Sequence, residues 1–380
     1  MTDIEPVRPR RVWALYIGGF MGPFGGAMVN TMLPELAVGL GTSIEVATWA
    51  ITSYMIPFSL GLLVSGTLAA RFGQSRTVRL AFLLYAISSL ACVLLTNPTL
   101  FILARGVQGL ANAFTTPVLI AMISRTVAPE RLGRAMGLYT SVVATGQASA
   151  PLVGGLAAGW DYRAAFAITA VVGLVLALLV PRVPAGPRAA GGQWRALANL
   201  RLLQSSLFAF GFQAAVSGIM VLGAMIASDR FGLSPGLRGL VVAGFGVAGL
   251  VGGPLIGSLA DRAGIPRTAF LGATGLGVAL IASGWVPWLW GLVVLVLIAG
   301  LTGTAARIGS NAMALRSTPA NPGGATSVTM AAQFAGTAVA PVVLLPLYVQ
   351  SPWVATLAGG GLALFSAVVL LVAPPTFGRR

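Results

Sequence analysis

Gly66-Thr67-Leu68-Ala69-Ala70-Arg71-Phe72-Gly73-Gln74-Ser75-Arg76-Thr77 returns 191 residues later as Gly257-Ser258-Leu259-Ala260-Asp261-Arg262-Ala263-Gly264-Ile265-Pro266-Arg267-Thr268. Seven of the twelve positions keep their residue: Gly66, Leu68, Ala69, Arg71, Gly73, Arg76 and Thr77. The same shift carries Gly109-Leu110 onto Gly300-Leu301 and Arg125 onto Arg316. A displacement of half the 380-residue chain marks a duplicated unit. Two homologous halves inside a bilayer are the plan of a carrier whose site lies between them.

That the chain lies in a bilayer follows from composition. Only 8% of its residues are charged, where a soluble protein carries about 25%. Apolar runs long enough to cross ~30 Å of hydrocarbon, roughly 20 residues each, follow one another along the chain. They predict an all-α membrane protein of twelve helices, near 12–34, 46–69, 78–96, 99–123, 136–159, 164–181, 204–228, 238–260, 268–286, 289–314, 325–349 and 353–373. Six belong to each half.

A net charge of +15 raises the question of nucleic acid. The arginines, however, alternate with the spans instead of clustering. Arg8, Arg10 and Arg11 precede the first helix; Arg71, Arg76 and Arg79 follow the second; Arg125, Arg131 and Arg134 follow the fourth. Arg182, Arg188, Arg195 and Arg201 fall in the middle, Arg262, Arg267 and Arg316 in later loops, Arg379 and Arg380 at the end. The loops of the other side hold only Arg163, Arg230 and Arg238. By the positive-inside rule both termini and the central linker are expected in the cytoplasm, with an even helix count. The charge reads as topology, and no nucleic-acid partner is expected.

Several chemistries are poorly served. The chain has no histidine and one cysteine, Cys92, in an apolar stretch. His-based catalysis, disulfides, thiolate clusters and a dedicated metal site are therefore not expected, nor is an enzyme. There is no Walker-type phosphate loop, no charged ring and no filter-like loop, which speaks against an ATP-driven pump and a channel. The first apolar run is too long for a signal peptide and reads as a retained helix. Residues 182–203, broken by Pro184, Pro187, Gly191 and Gly192, form the expected linker between halves 1–181 and 204–380. Its later part, around 194–203, suits a short interfacial helix.

The repeated stretch is a helix end, a tight turn and a helix start. Gly66 allows close approach of another helix, and Gly73 can take the positive φ of a sharp turn. Arg71, Arg76 and Arg79 suit the headgroup layer, and Asp261 can pair with Arg262 beside it. The pattern resembles motif A of the major facilitator superfamily, Gly-x-Leu-Ala-Asp-Arg-x-Gly-Arg-Arg. Leu103-Ala104-Arg105-Gly106-Val107-Gln108-Gly109 resembles its motif B, and Gly146-Gln147-Ala148-Ser149-Ala150-Pro151-Leu152-Val153-Gly154-Gly155 its motif C, typical of antiporters. Val29-Asn30-Thr31-Met32-Leu33-Pro34, with Trp49, Thr52 and Tyr54, resembles the drug:proton antiporters.

The resemblance covers essentially the whole chain. It implies two six-helix bundles, alternating access, and export of small amphipathic or lipophilic compounds in exchange for protons. The expected location is the bacterial inner membrane, with the chain working as a monomer among lipid and no cofactor beyond the proton gradient. It implies gating by Gly66, Arg71, Gly73, Arg76, Asp261, Arg262 and Arg267 of motif A and by Pro151, Gly154 and Gly155 of motif C. Two departures stand out: Ala70 replaces the first motif's acid, which either removes the cytoplasmic latch or moves it to Asp261, and Ala150 replaces glycine before Pro151.

A proton-driven exporter needs a carboxylate within the membrane. None of the acids Asp3, Glu5, Glu35, Glu45, Glu130, Asp161, Asp229 and Asp261 falls at a helix centre. Glu35 and Asp229 come nearest, as either solvated helix-end charges or proton acceptors in an outward cavity. Arg105 holds the position the family associates with coupling; the alternative is an arginine bonded to backbone carbonyls. Arg307, nine residues before Arg316, sits roughly 13 Å inside the membrane. It reads either as a cavity contact for an anionic or polar substrate or as a structural hub. In the first case a facilitator or exporter of a polar or anionic metabolite, without proton coupling, is the alternative function.

Amides at membrane depth either join helices or line an aqueous cavity. Asn30, Asn112, Gln213, Arg307 and Asn311 fall on helices one, four, seven and ten, which line the cavity in the superfamily. With Tyr54, Gln147 and Gln333 they are the candidate substrate contacts. Trp285, Trp288 and Trp290 read as an interfacial belt.

Overall fold

The computed structural model describes residues 9–127, 132–183, 197–318 and 322–372. All secondary structure among these is helical: α1 Pro9–Ala27, α2 Leu33–Gly39, α3 Ile44–Phe72, α4 Gln74–Leu94, α5 Pro98–Ala113, α6 Thr116–Thr126, α7 Leu132–Ala158 and α8 Arg163–Leu179. After the centre come α9 Leu200–Asp229, α10 Pro235–Ala263, α11 Ile265–Ser283, α12 Leu289–Ser317, α13 Pro322–Gln350 and α14 Pro352–Val372. Ten spans are long and apolar enough to cross a bilayer. The 27-residue α7 and the apolar 17-residue α8 complete the expected twelve. The protein is an integral membrane protein.

Two spans are interrupted, each just ahead of a proline. The first span leaves α1 at Ala27, tightens into a 3₁₀ turn over Met28–Thr31, and restarts as α2 with Pro34 in its first turn. The fourth, expected unbroken over 99–123, breaks at Phe114–Thr115 ahead of Pro117 in the first turn of α6. The proline ring has no N–H to continue the helical ladder and disfavours helical backbone before it. Thr115 offsets the break by donating its hydroxyl to the Asn112 carbonyl at 2.7 Å and to Asn112 Oδ1 at 2.9 Å.

The expected linker is shorter than its 182–203 bounds. Asn199 caps α9 by accepting from the Leu202 amide at 2.8 Å, so Leu200–Leu203 are the helix's first turn. They do not belong to a separate interfacial helix; residues 184–196 lie outside the described residues.

Helices α1–α8 pack among themselves, as do α9–α14, and the duplication is visible in how they do so. Gly109 has no room for a Cβ against the Tyr54 carbonyl, and Gly300 none against the Phe245 carbonyl. Both members of that pair are displaced by 191 residues. Gly146 meets the Phe20 carbonyl and Gly336 the Phe210 carbonyl, both displaced by 190. Equivalent glycines therefore seat equivalent helices. The two sets meet along α7·α10 and α3·α13, and where the 3₁₀ turn touches α9 and α10.

One end of the bundle carries Arg71, Arg76, Arg262, Arg267 and Arg316; we call it the arginine-rich end, and the opposite one the far end. At the arginine-rich end Gly73 alone separates α3 from α4 with φ +90°, and Gly264 alone separates α10 from α11 with φ +92°. Such φ values disfavour any side chain, which explains glycine at both copies of the motif. At the far end Trp160, Trp285, Trp288 and Trp290 are exposed, as befits residues at a membrane interface.

Candidate functional site

Four expected contact residues come together midway through the membrane. Arg307 on α12 is half-buried and donates from Nη1 to Gln147 Oε1 on α7 at 3.1 Å, joining the two sets. One turn further on, Asn311 is exposed although it lies six residues, about 9 Å, inside the end of α12. Gln333 on α13 donates from Nε2 to Asn311 Oδ1 at 3.3 Å and to Ser310 Oγ at 3.2 Å. Exposed polar groups at this depth require an aqueous opening, because hydrocarbon offers them no partners.

Gln213 and Asn30 flank this cluster without joining it. The Ser217 hydroxyl donates to the Thr337 carbonyl at 3.3 Å, which sets α9 and α13 in register. Gln213 and Gln333, each four residues earlier on helices running the same way, therefore share one level. Gln213 is buried and its Oε1 has no partner. Asn30 is buried in the 3₁₀ turn, with Nδ2 3.9 Å from Met220 Sδ in the other set and Oδ1 unpartnered.

Tyr54 and Asn112 are placed otherwise than expected. Asn112 donates from Nδ2 to the Tyr54 hydroxyl at 2.8 Å and accepts at Oδ1 from Thr115, leaving both residues buried inside the first set. Below them lies Arg105, fully buried. It donates from Nε to the Ala50 carbonyl at 3.0 Å, from Nη2 to the Gly25 carbonyl at 3.2 Å and from Nη1 to Gln108 Oε1. Gln108 Nε2 in turn donates to Ser89 Oγ at 2.6 Å. The guanidinium carbon lies 4.4 Å from the Tyr54 ring centroid and 5.6 Å from that of Phe166. Arg105 thus ties its own helix α5 to three neighbours, α1, α3 and α8, through carbonyls and aromatic faces. Of its two readings the geometry matches the arginine bonded to backbone carbonyls, since every guanidinium nitrogen is engaged.

At the far end Glu35 on α2 forms an ion pair with Arg238 on α10. Arg238 is buried, and Glu35 Oε2 and Arg238 Nε have no further partner. Glu35 is therefore not a free end charge: it joins the two sets. Asp229 is exposed at the end of α9, beside Arg230, which donates to the Val286 and Gly284 carbonyls at 2.7 and 2.9 Å. The sequence reading counted Arg238 only as a loop charge. Its signal was rarity, as one of three arginines on the arginine-poor side.

The motif C residues build the same closure. Pro151 lies inside α7, and its carbonyl accepts from the Thr31 hydroxyl at 2.9 Å. Gly154 packs against the Met28 carbonyl and Gly155 against that of Pro235 across the seam. Gly239 and Gly246 return the contact from α10, against Pro151 and Ala148. On the other seam, Thr52 Oγ1 donates to the Ala338 carbonyl at 2.6 Å and Ser59 Oγ to the Ala331 carbonyl at 2.7 Å. Between them Phe58 meets Phe334 edge-on at 4.5 Å.

Motif A stands clear. Nothing lies within 4 Å of where a Cβ of Gly66 or its counterpart Gly257 would be. The close approach expected at Gly66 is absent because the two sets touch toward the far end, away from these turns. Arg71, Arg76, Arg262 and Arg267 are exposed there; the side chain of Asp261 is outside the described residues. The arrangement is a pair of helical bundles sealed at one end, with a polar cluster open toward the other.

Twelve membrane spans in two sets, with polar groups at the seam, define an integral membrane protein. The sequence matches the profile of the Major Facilitator Superfamily over residues 15–226 and 205–380, and the chain belongs to that family. It is 32% identical over 216 residues to a protein named multidrug resistance protein B homolog from Mycobacterium tuberculosis. That alignment covers 57% of this chain and 39% of that protein, so the chain spans about two fifths of its relative's length. The fold is shared with the nucleoside transporter NupG, at TM-score 0.79 and 15% identity over 95% of this chain and 99% of that one. It is shared too with a bacterial homologue of the lysosomal transporter Spinster, solved inward-facing and unoccupied, at TM-score 0.76, 17% identity, and 96% and 95% coverage.

Proposed function

We propose that the protein is a secondary transporter that exports small amphipathic or lipophilic compounds by alternating access, in exchange for protons. The observation that carries this is the asymmetric closure: Glu35–Arg238 and the glycine seam join the halves at the far end, while Asn311 stays exposed at depth. A carrier caught open to one side has this form. The multidrug-resistance name of the Mycobacterium tuberculosis relative supports the export reading. In this proposal the halves are 1–181 and 204–380, and the arginine-rich end faces the cytoplasm of a bacterial inner membrane. One chain acts alone, without a cofactor and with the proton gradient as energy source.

Glu35 is the proposed coupling group. Protonation would remove one charge of the pair and release Arg238, opening the far end. Of the two carboxylates nearest the membrane, Asp229 is exposed and engages no residue of the other half.

Everted membrane vesicles holding a pH gradient test the reading. From a panel of cationic, neutral and anionic amphipathic compounds, those that are carried should collapse the gradient, through wild type and Asp229→Asn alike but not through Glu35→Gln. Transport of the compounds without proton movement would refute exchange, and no transport of any would refute the carrier.

A further inference from the structure

We infer that the compounds carried bear an anionic group, a carboxylate or sulfonate, held by Arg307 with Asn311 and Gln147. The inference rests on the carrier reading and narrows its substrate class.

It begins with a charge inventory. Among the described carboxylates, Glu35 is taken by Arg238 and Asp161 by Arg163, both at the far end. Glu45 is in the first turn of α3 and Asp229 in the last of α9; Asp261, whose side chain is outside the described residues, falls in the last turn of α10. Asp3, Glu5 and Glu130 lie outside the described residues, before α1 and between α6 and α7. Arg307 is ten residues inside the end of α12, about 15 Å. Among the described residues no carboxylate pairs with it, and its one hydrogen-bond partner is the neutral Gln147. The opening at this depth therefore carries an uncompensated positive charge.

The amides sharpen the conclusion. Gln147 spends its oxygen on Arg307, and Asn311 spends its oxygen on Gln333. Each is thereby oriented with its NH₂ group unpaired among the described residues. Arg307 keeps Nε and Nη2. What the cluster offers a ligand is a guanidinium edge and two amide N–H groups, with Gln333 Oε1 the remaining acceptor. A guanidinium edge matches a planar carboxylate bidentately, and charge-assisted bonds of this kind are the strong ones. A cationic compound would meet like charge there. Phe334, next to Gln333 in sequence and only partly buried, offers apolar surface to the rest of an amphipathic acid.

The test uses three compounds of one shape: 2-naphthoate, 2-naphthamide and 2-naphthylmethylammonium, charged −1, 0 and +1. Binding to the full-length protein in lipid nanodiscs is measured by calorimetry, and flux in proteoliposomes. Naphthoate should bind at least about tenfold more tightly than the other two. Arg307→Gln should abolish that preference and Arg307→Lys keep part of it, with both variants checked for an unchanged melting temperature. Equal binding of the three, naphthoate binding that survives Arg307→Gln, or no naphthoate binding at all overturns the inference. Flux of the amide or cation without preference for naphthoate overturns the anion assignment and keeps the carrier. Arg307-dependent naphthoate binding with no flux of any compound keeps the anion site and overturns the carrier.

Discussion

Glu35 and Arg238, 203 residues apart in sequence, form one ion pair that closes the far end between the two helical sets. Arg238 is almost wholly buried, whereas a quarter of the Glu35 side chain is exposed, so water reaches the pair from the carboxylate side. A hydrogen bond to a charged group contributes about 1.5–3 kcal/mol, or roughly a 10- to 150-fold change in a two-state population. Glu35→Gln should shift the protein toward the far-open state by that order. Met220, buried 3.9 Å from Asn30 across the seam, is a suitable reporter once changed to cysteine, since the native Cys92 is fully buried. A water-soluble maleimide should label Met220→Cys at least about tenfold faster in Glu35→Gln than in wild type. An unchanged rate would show that the pair does not hold the end closed.

The hydroxyl bonds of the second seam should be weaker individually. Hydrogen bonds between membrane helices average about 0.6 kcal/mol, so Thr52→Val with Ser59→Ala should cost about 1 kcal/mol together. The same reporter should label about fivefold faster. No acceleration would mean that Phe58 and Phe334 hold this seam without help.

Glycine substitutions should divide sharply by place. Gly109→Ala puts a methyl into the Tyr54 carbonyl inside the first set, and overpacking of this kind costs about 1–3 kcal/mol or more. Its melting temperature in detergent should fall. Gly66→Ala meets nothing within 4 Å and should melt as wild type does, whatever it does to transport. A destabilised Gly66→Ala would mean that the motif turn is packed after all.

Arg105→Lys should not behave as a conservative change. A single ammonium cannot reach the Gly25 and Ala50 carbonyls and Gln108 in the planar geometry of the guanidinium. Buried acceptors left without donors each cost about 1–3 kcal/mol. Thermal unfolding should start earlier, with 2-naphthoate affinity unchanged in the surviving folded fraction. A wild-type melting curve would assign Arg105 a role other than holding four helices together.

The twelve spans and the duplication were legible because hydropathy and repeats are local properties of the chain. The φ of Gly73 was legible for the same reason. The break at Phe114–Thr115 was not, although Pro117 signalled it, because no charged residue interrupts the run between Arg105 and Arg125. Long-range pairings were harder still. Residue type made Tyr54, Asn112, Gln147 and Arg307 equal candidates, but only the packing of α5 against α3 encloses the first two and leaves the last two at an opening. Glu35 showed its charge and depth in the sequence; that Arg238 answers it depends on how one half docks on the other. The approach expected at Gly66 failed because the two sets touch toward the far end, away from that turn.

The two seams differ in kind, although duplication relates α3 to α10 and α7 to α13. Along α3·α13 hydroxyls grip carbonyls seven residues apart on each helix; along α7·α10 Gly155, Gly239 and Gly246 present bare backbone. One seam resists sliding and the other permits it. In the alternating access proposed above, twin halves joined this way would swing like a door, with α3·α13 the hinge stile and α7·α10 the latch edge that travels furthest.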